Sequence, residues 1–272
     1  QCVGRFIHLF CDSVTMIHVL PGKDSDNNPV EIPREVQIAL NEHMSDIREY
    51  IPHAESKILH GKPSTEITNF IKQSGAEFLV IGAHGQSRIR ETFLGSVASQ
   101  VLDNITVPTL VVKHHASDGD RCPLDFTGRF LFLTDFSENA EAAFQTLLSM
   151  APIFEVGVTL LHVHDLSRLL PDFDPKIEKL NRIDNERLSD LKQRLIEIGV
   201  NDVDTKIVTG PPKKSIMEEI NRTQYGLVVL GARGRDWMEE WMLGSIAHAV
   251  TRMSKTSLLL VPWSQANERT EI

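Results

Sequence analysis

Three glycines and a serine recur twice along the chain at one spacing. In VIGAHGQSRIRETFLGSVASQVL (residues 80–102) they are Gly82, Gly85, Gly95 and Ser96. In VLGARGRDWMEEWMLGSIAHAV (residues 229–250) they are Gly231, Gly234, Gly244 and Ser245. A glycine ending a strand lets another group approach the backbone closely, and a glycine three residues on can turn the chain with positive φ and converge its amides. A glycine–serine pair opening a helix adds unpaired N–H groups, the positive end of the helix dipole and a hydroxyl. Together these are the parts of a polyphosphate cradle. Turns and helix caps alone would also explain a single copy. Two copies in register on the same strand–helix pattern favour the cradle.

Other chemistry is thinner. There is no GxxxxGK[ST] loop for a motor-type or GTPase-type nucleotide hydrolase, and no G-x-S-x-G elbow for a serine nucleophile. His162 and His164 share a strand face and His114–His115 end a strand, but neither pair comes with the carboxylate or cysteine company that a zinc site usually has. These are read as ordinary histidines, with no metal site expected. His84, inside the first glycine loop, is the one histidine placed to neighbour a phosphate. Cys2, Cys11 and Cys122 form no CxxC pair and read as free thiols of a reducing compartment. A formal net charge of −9 argues against a broad nucleic-acid surface. With no apolar run near the roughly 18 residues of a membrane span, no membrane contact is expected and the cytoplasm is the expected compartment.

The elements that must hold the glycines are themselves duplicated. SVTMIHVL (13–20) resembles GVTLLHVH (157–164), HGKPSTEI (60–67) resembles TGPPKKSI (209–216), and TLVVKH resembles LLLVPW. Apolar, β-branched runs alternate with helical patterns, which indicates parallel sheets covered on both faces. The expected fold is α/β: two tandem doubly wound, Rossmann-like domains with five-stranded parallel sheets and ligands at the strand carboxyl ends. The first domain is assigned to residues 1–115, a polar linker to 116–128, the second domain to 129–264 and a tail to 265–272. In register with the second half, Gln1 falls inside the first helix, so the first half lacks an opening strand, which should open its sheet. Residues upstream of Gln1 are expected to supply it, with a repacked edge as the alternative. Ser137 is the expected N-cap of the helix that follows the second half's opening strand.

These residues resemble the universal stress proteins. The match is to that family's ATP-binding pattern, G-x2-G-x9-G-[S/T], complete in both halves, with TDFSENA (134–140) resembling its first-strand Asp-x-Ser. The resemblance extends over nearly all of the chain as a tandem of two such domains. It implies that Asp135 lies near adenine and ribose, that Gly231, Gly234, Gly244 and Ser245 hold ribose and phosphates, and that Gly82, Gly85, Gly95 and Ser96 do so in the first half. Backbone around Val19 and Val163 would border the base. The implied ligand is ATP or another adenine nucleotide, with or without Mg2+, and the implied role is regulatory stress response. Slow ATP hydrolysis, or a partner-binding module without nucleotide, are the alternatives. The halves are expected to pack as an internal pseudo-dimer through their apolar final strands, with a homodimer as a further option. The two sites are expected to differ. Asp236, Glu239 and Glu240 crowd the second loop against Arg233 and Arg235, whereas the first loop sets Glu91 against Arg88 and Arg90.

Overall fold

A computed structural model describes residues 11–22, 31–84, 94–113, 128–165, 174–234 and 243–263. The first half runs β1 (Ser13–Leu20), α1 (Arg34–Arg48), β2 (His53–His60), α2 (Pro63–Ser74), β3 (Leu79–Gly82), α3 (Ser96–Leu102) and β4 (Thr109–Val112). The second runs β5 (Phe130–Thr134), α4 (Glu138–Phe154), β6 (Val158–His164), α5 (Asp174–Glu197), β7 (Val203–Thr209), α6 (Pro212–Arg222), β8 (Leu227–Gly231), α7 (Ser245–Met253) and β9 (Leu258–Val261). The strands and helices expected in the second half all form.

The apolar runs become strands because both their faces are covered. β5 is buried along its whole length. Phe130 and Phe132 join one core with Ala143, Phe144 and Leu147 of α4 and Leu188 and Leu195 of α5. Leu131 and Leu133 point the other way, into a core with Ile216 and Ile220 of α6 and Val250 of α7. The period-2 alternation of a strand thus feeds two apolar layers, and no polar face is left. The sheet order in this half is β9-β8-β5-β6-β7, parallel throughout. β5 is its centre, and the carboxyl ends of β5 and β8 lie side by side.

The first half is built differently. β1 and β2 form a separate parallel pair, while β3 and β4 form another. Among the described residues nothing occupies the position between β1 and β3 that β5 holds in the second half. β1 is half-buried over most of its length.

β4 then continues the second half's sheet. It pairs antiparallel with β9, in register Thr109↔Leu260, Leu110↔Leu259 and Val111↔Leu258, giving a seven-stranded order β3-β4-β9-β8-β5-β6-β7. Leu110, Val111, Leu258, Leu259 and Leu260 are all fully buried. Each of these strands would otherwise present an apolar edge with unpaired backbone groups. Among the described residues no helix is long and apolar enough to cross a membrane.

Candidate functional site

The second glycine loop hangs between β8 and α7 on backbone hydrogen bonds. Ala232 N–H donates to Val261 O at 2.8 Å, and Gly244 N–H donates to Ala232 O at 2.8 Å. That second bond folds the start of α7 back onto the strand end. Gly244 is the N-cap and Ser245 the first helical residue, exposed, and no side chain among the described residues caps this terminus. Among the described residues the first-turn amides of α7 therefore have neither an intrahelical nor an N-cap side-chain acceptor.

Packing explains two of the glycines. A Cβ on Gly231 would sit 2.8 Å from Asn139 O, and one on Gly244 would sit 3.1 Å from Arg233 Cα and 3.4 Å from Gly234 N. Gly231 is thus required by the backbone of α4, where the sequence reading has a ligand as the closely approaching group. Gly234 is corrected too: among the described residues the glycines with positive φ are Gly61, Gly75, Gly199 and Gly210, and Gly234 is not one of them. Its lack of a side chain instead admits Asp135, whose Oδ2 would lie 3.2 Å from a Cβ there.

Asp135 is set by a tight turn at the end of β5. Its Oδ1 accepts the Ser137 N–H at 3.0 Å, and Thr134 Oγ1 accepts the Phe136 N–H at 3.0 Å. Phe136, between them, has φ of 59°, a conformation that costs a non-glycine residue about 1 kcal/mol or more. Ser137 caps α4 as expected, accepting from Ala140 N at 3.2 Å. The turn leaves the Asp135 carboxylate half-buried against the glycine loop. Asn139, two residues into α4, has a buried Oδ1 with no hydrogen-bond partner among the described residues. Sequence reasoning gave Asn139 no role; its position four residues after Asp135 and two after a helix cap was the available signal.

Asp135, Gly231, Gly234, Gly244 and Ser245 therefore come together at one end of the sheet. Val163 lies one position beyond the Thr134↔His162 pair, level with Asp135, and packs into the apolar layer shared with α6. In the first half the same frame recurs: Ala83 N–H donates to Val112 O at 2.9 Å and Gly95 N–H to Ala83 O at 2.7 Å. Gly95 is the N-cap of α3, and Ser96 is its first residue. Gly82 is exposed and Val19 half-buried, and no described residue stands where Asp135 stands in the second half. Gly85, Arg88, Arg90, Glu91, Arg235, Asp236, Glu239 and Glu240 lie outside the described residues, as do His114 and His115.

The other histidine pair needs a correction. His162 and His164 do have carboxylate company, brought by α5. Asp184 Oδ2 lies 2.7 Å from His164 Nε2 and 3.7 Å from His162 Nε2. The sequence hides this because Asp184 is twenty residues along, on a helix that packs over β6.

The family model for the universal stress protein family matches residues 6–113 and again 127–262. Universal stress protein YxiE of Bacillus subtilis is 32% identical over 111 residues, 41% of this chain and 75% of that protein. A universal stress protein of Mycolicibacterium smegmatis is 25% identical over 206 residues, 74% of this chain and 66% of that protein. In fold, a universal stress protein from Archaeoglobus fulgidus superposes with a TM-score of 0.69 at 23% identity, covering 96% of this chain and 91% of that one. One matched span takes in β1 to β4 and the other β5 to β9, each with its own glycine loop, so the chain belongs to the universal stress protein family as a tandem of two of its domains.

Proposed function

We propose that the second half binds an adenine nucleotide, ATP or a relative, and that the protein acts as a nucleotide-responsive regulator rather than an enzyme. One observation carries the reading: the Asp135 carboxylate, the glycine loop and the uncapped start of α7 converge at the ends of β5 and β8. The residues present fit the ligand. First-turn amides of α7 and the Ser245 hydroxyl are donors for phosphate oxygens. Asp135 is an acceptor for ribose hydroxyls, and the buried Asn139 Oδ1 supplies another for a ribose or amino group. A phosphate chain near Asp135 meets a like charge, so a divalent cation such as Mg2+ is the natural counter-ion. Gly82, Gly95 and Ser96 frame a second cradle of the same design in the first half. The antiparallel β4–β9 junction supports reading the two halves as an internal pseudo-dimer.

Calorimetric titration of the full chain with ATP, ADP and AMP, with and without Mg2+, tests this. Asp135→Ala and Gly244→Val should each weaken binding at the second-half site by about tenfold or more, a loss of roughly 1.4 kcal/mol, while Gly95→Val should change that site little. Mass spectrometry of small molecules retained by the native protein should find an adenine nucleotide. Unchanged affinity in both second-half variants would remove the cradle from the function and leave the partner-binding reading.

A further inference from the structure

On the opposite face of β6 from Val163, His162, His164 and Asp184 bring one donor atom each to a common point. We propose that these three residues form a binding site for a divalent transition-metal ion of the Zn2+ class, separate from the nucleotide cradle. Their ligand atoms all lie within 4.8 Å of one another. Around a tetrahedral zinc with bonds of about 2.0–2.1 Å, such atoms stand roughly 3.4 Å apart. Small side-chain rotations close that difference.

The chemistry of the donor set favours a cation. His162 Nδ1 lies 2.8 Å from Thr134 O, a carbonyl that can only accept, so Nδ1 carries the proton. In a neutral ring this turns the Nε2 lone pair toward the Asp184 carboxylate, 3.7 Å away. Two acceptors then face each other, and the His164 Nε2–H is the donor between them, 2.7 Å from Asp184 Oδ2. A metal ion satisfies all three at once. Coordination through His164 Nε2 moves that ring's proton to Nδ1, with no net proton released from a neutral imidazole.

The surroundings match those of metal sites. A backbone carbonyl orients His162, and Arg187 lies 3.4 Å from the outer oxygen of Asp184, Oδ1, leaving Oδ2 turned inward. The Phe136 ring lies 4.6 Å from that of His162 and shields it. Side-chain exposures of 11%, 9% and 10% keep bulk water from competing with the three ligands. Thr134, Phe136 and Arg187, neighbours of the cluster, also line a groove of about 510 Å3 between α4 and α5. Two histidines and one carboxylate, neutral nitrogen and hard oxygen together, suit Zn2+, Co2+, Ni2+ or Fe2+ rather than Mg2+ or Ca2+.

The test uses the full chain after chelator treatment. Competition against a chromophoric zinc indicator should show one tight equivalent, and Co2+ substitution should give the visible bands of a tetrahedral nitrogen–oxygen site. Asp184→Asn, nearly isosteric, and His164→Ala should weaken that equivalent by at least tenfold, with far-ultraviolet circular dichroism confirming the fold. His248→Ala, a histidine outside the cluster, should leave it intact. Absence of a tight equivalent in the unsubstituted protein would overturn the proposal whatever the variants do. Equal affinity in Asp184→Asn, His164→Ala and His248→Ala would do the same and reduce the cluster to a buried histidine–carboxylate hydrogen bond.

Discussion

Gly82 and Gly231 hold the same place in the repeated motif, and the chain uses them differently. A Cβ at position 231 would press to 2.8 Å on Asn139 O and 2.9 Å on its carbonyl carbon, neither of which can move without shifting α4. At position 82 the described neighbour is His84 O, at 3.4 Å, in ordinary contact. Overpacking against fixed backbone costs typically about 1–3 kcal/mol, while an unhindered substitution costs well under 1 kcal/mol. Gly231→Ala should therefore lower stability by about 1–3 kcal/mol in urea unfolding, and Gly82→Ala should be nearly neutral. Equal losses at both positions would show that the second copy is no tighter than the first. At this scale the sequence was legible in residue types but not in reasons. It singled out Gly231, Gly234 and Gly244 through their spacing. It could not show that Gly234 makes room for Asp135 at negative φ, or that Asp184 closes on His162 and His164. Those are contacts between segments, and spacing along one segment does not encode them.

Between residue and molecule, the elements were the most legible level, because β5, β8 and β9 of the second half are continuous apolar runs that both layers bury. Polar groups inside those layers were not foreseen. Glu219 reads as one charge among several on α6, yet it is only 2% exposed. It ties that helix to β7 and to the loop before β8. Lys206 Nζ lies 2.6 Å from its Oε1, the Tyr225 hydroxyl donates to Oε1 at 2.7 Å, and Arg222 bonds Oε2. Burial raises the carboxyl's proton affinity, but these hydrogen bonds outweigh it and hold the pKa down at about 2. A carboxylate depressed below its unfolded value stabilises the fold above roughly pH 4.5, and that contribution is lost as pH falls toward 2. A shift of this size corresponds to roughly 3 kcal/mol. Glu219→Gln should lower stability at pH 7 by a few kcal/mol and flatten the loss of stability between pH 4.5 and 2. Acid-unfolding profiles that run parallel for the two proteins would place the acid-sensitive group elsewhere.

The joining of the halves sets the behaviour of the whole molecule. The apolar character of β4 and β9 marked them as edges in need of cover, and the β4–β9 pairing supplies it. What the sequence did not mark is the amine at the end of β4. Lys113 is only 3% exposed, its backbone N–H donates to Ser257 Oγ at 3.1 Å, and its Nζ donates to Thr251 O on α7. Burial lowers its pKa to about 8. Between about pH 8 and the unfolded value near 10.4 the unfolded chain holds the extra proton, so stability rises with pH across that window. Below pH 8 the junction carries the full cost of a buried ammonium, on the order of 3 kcal/mol, offset in part by the Thr251 carbonyl. Lys113→Met keeps the length of the side chain and removes the charge. Its stability at pH 7 should equal or exceed that of the unsubstituted chain, and the difference between the two urea midpoints should change between pH 8 and 10, as the unsubstituted chain alone gains stability there. Other groups titrate in this range, so only that difference isolates Lys113. A constant difference from pH 7 to 10 would mean that the ammonium is as well solvated in the folded junction as in the unfolded chain. The two halves would then be held together by the apolar strands alone.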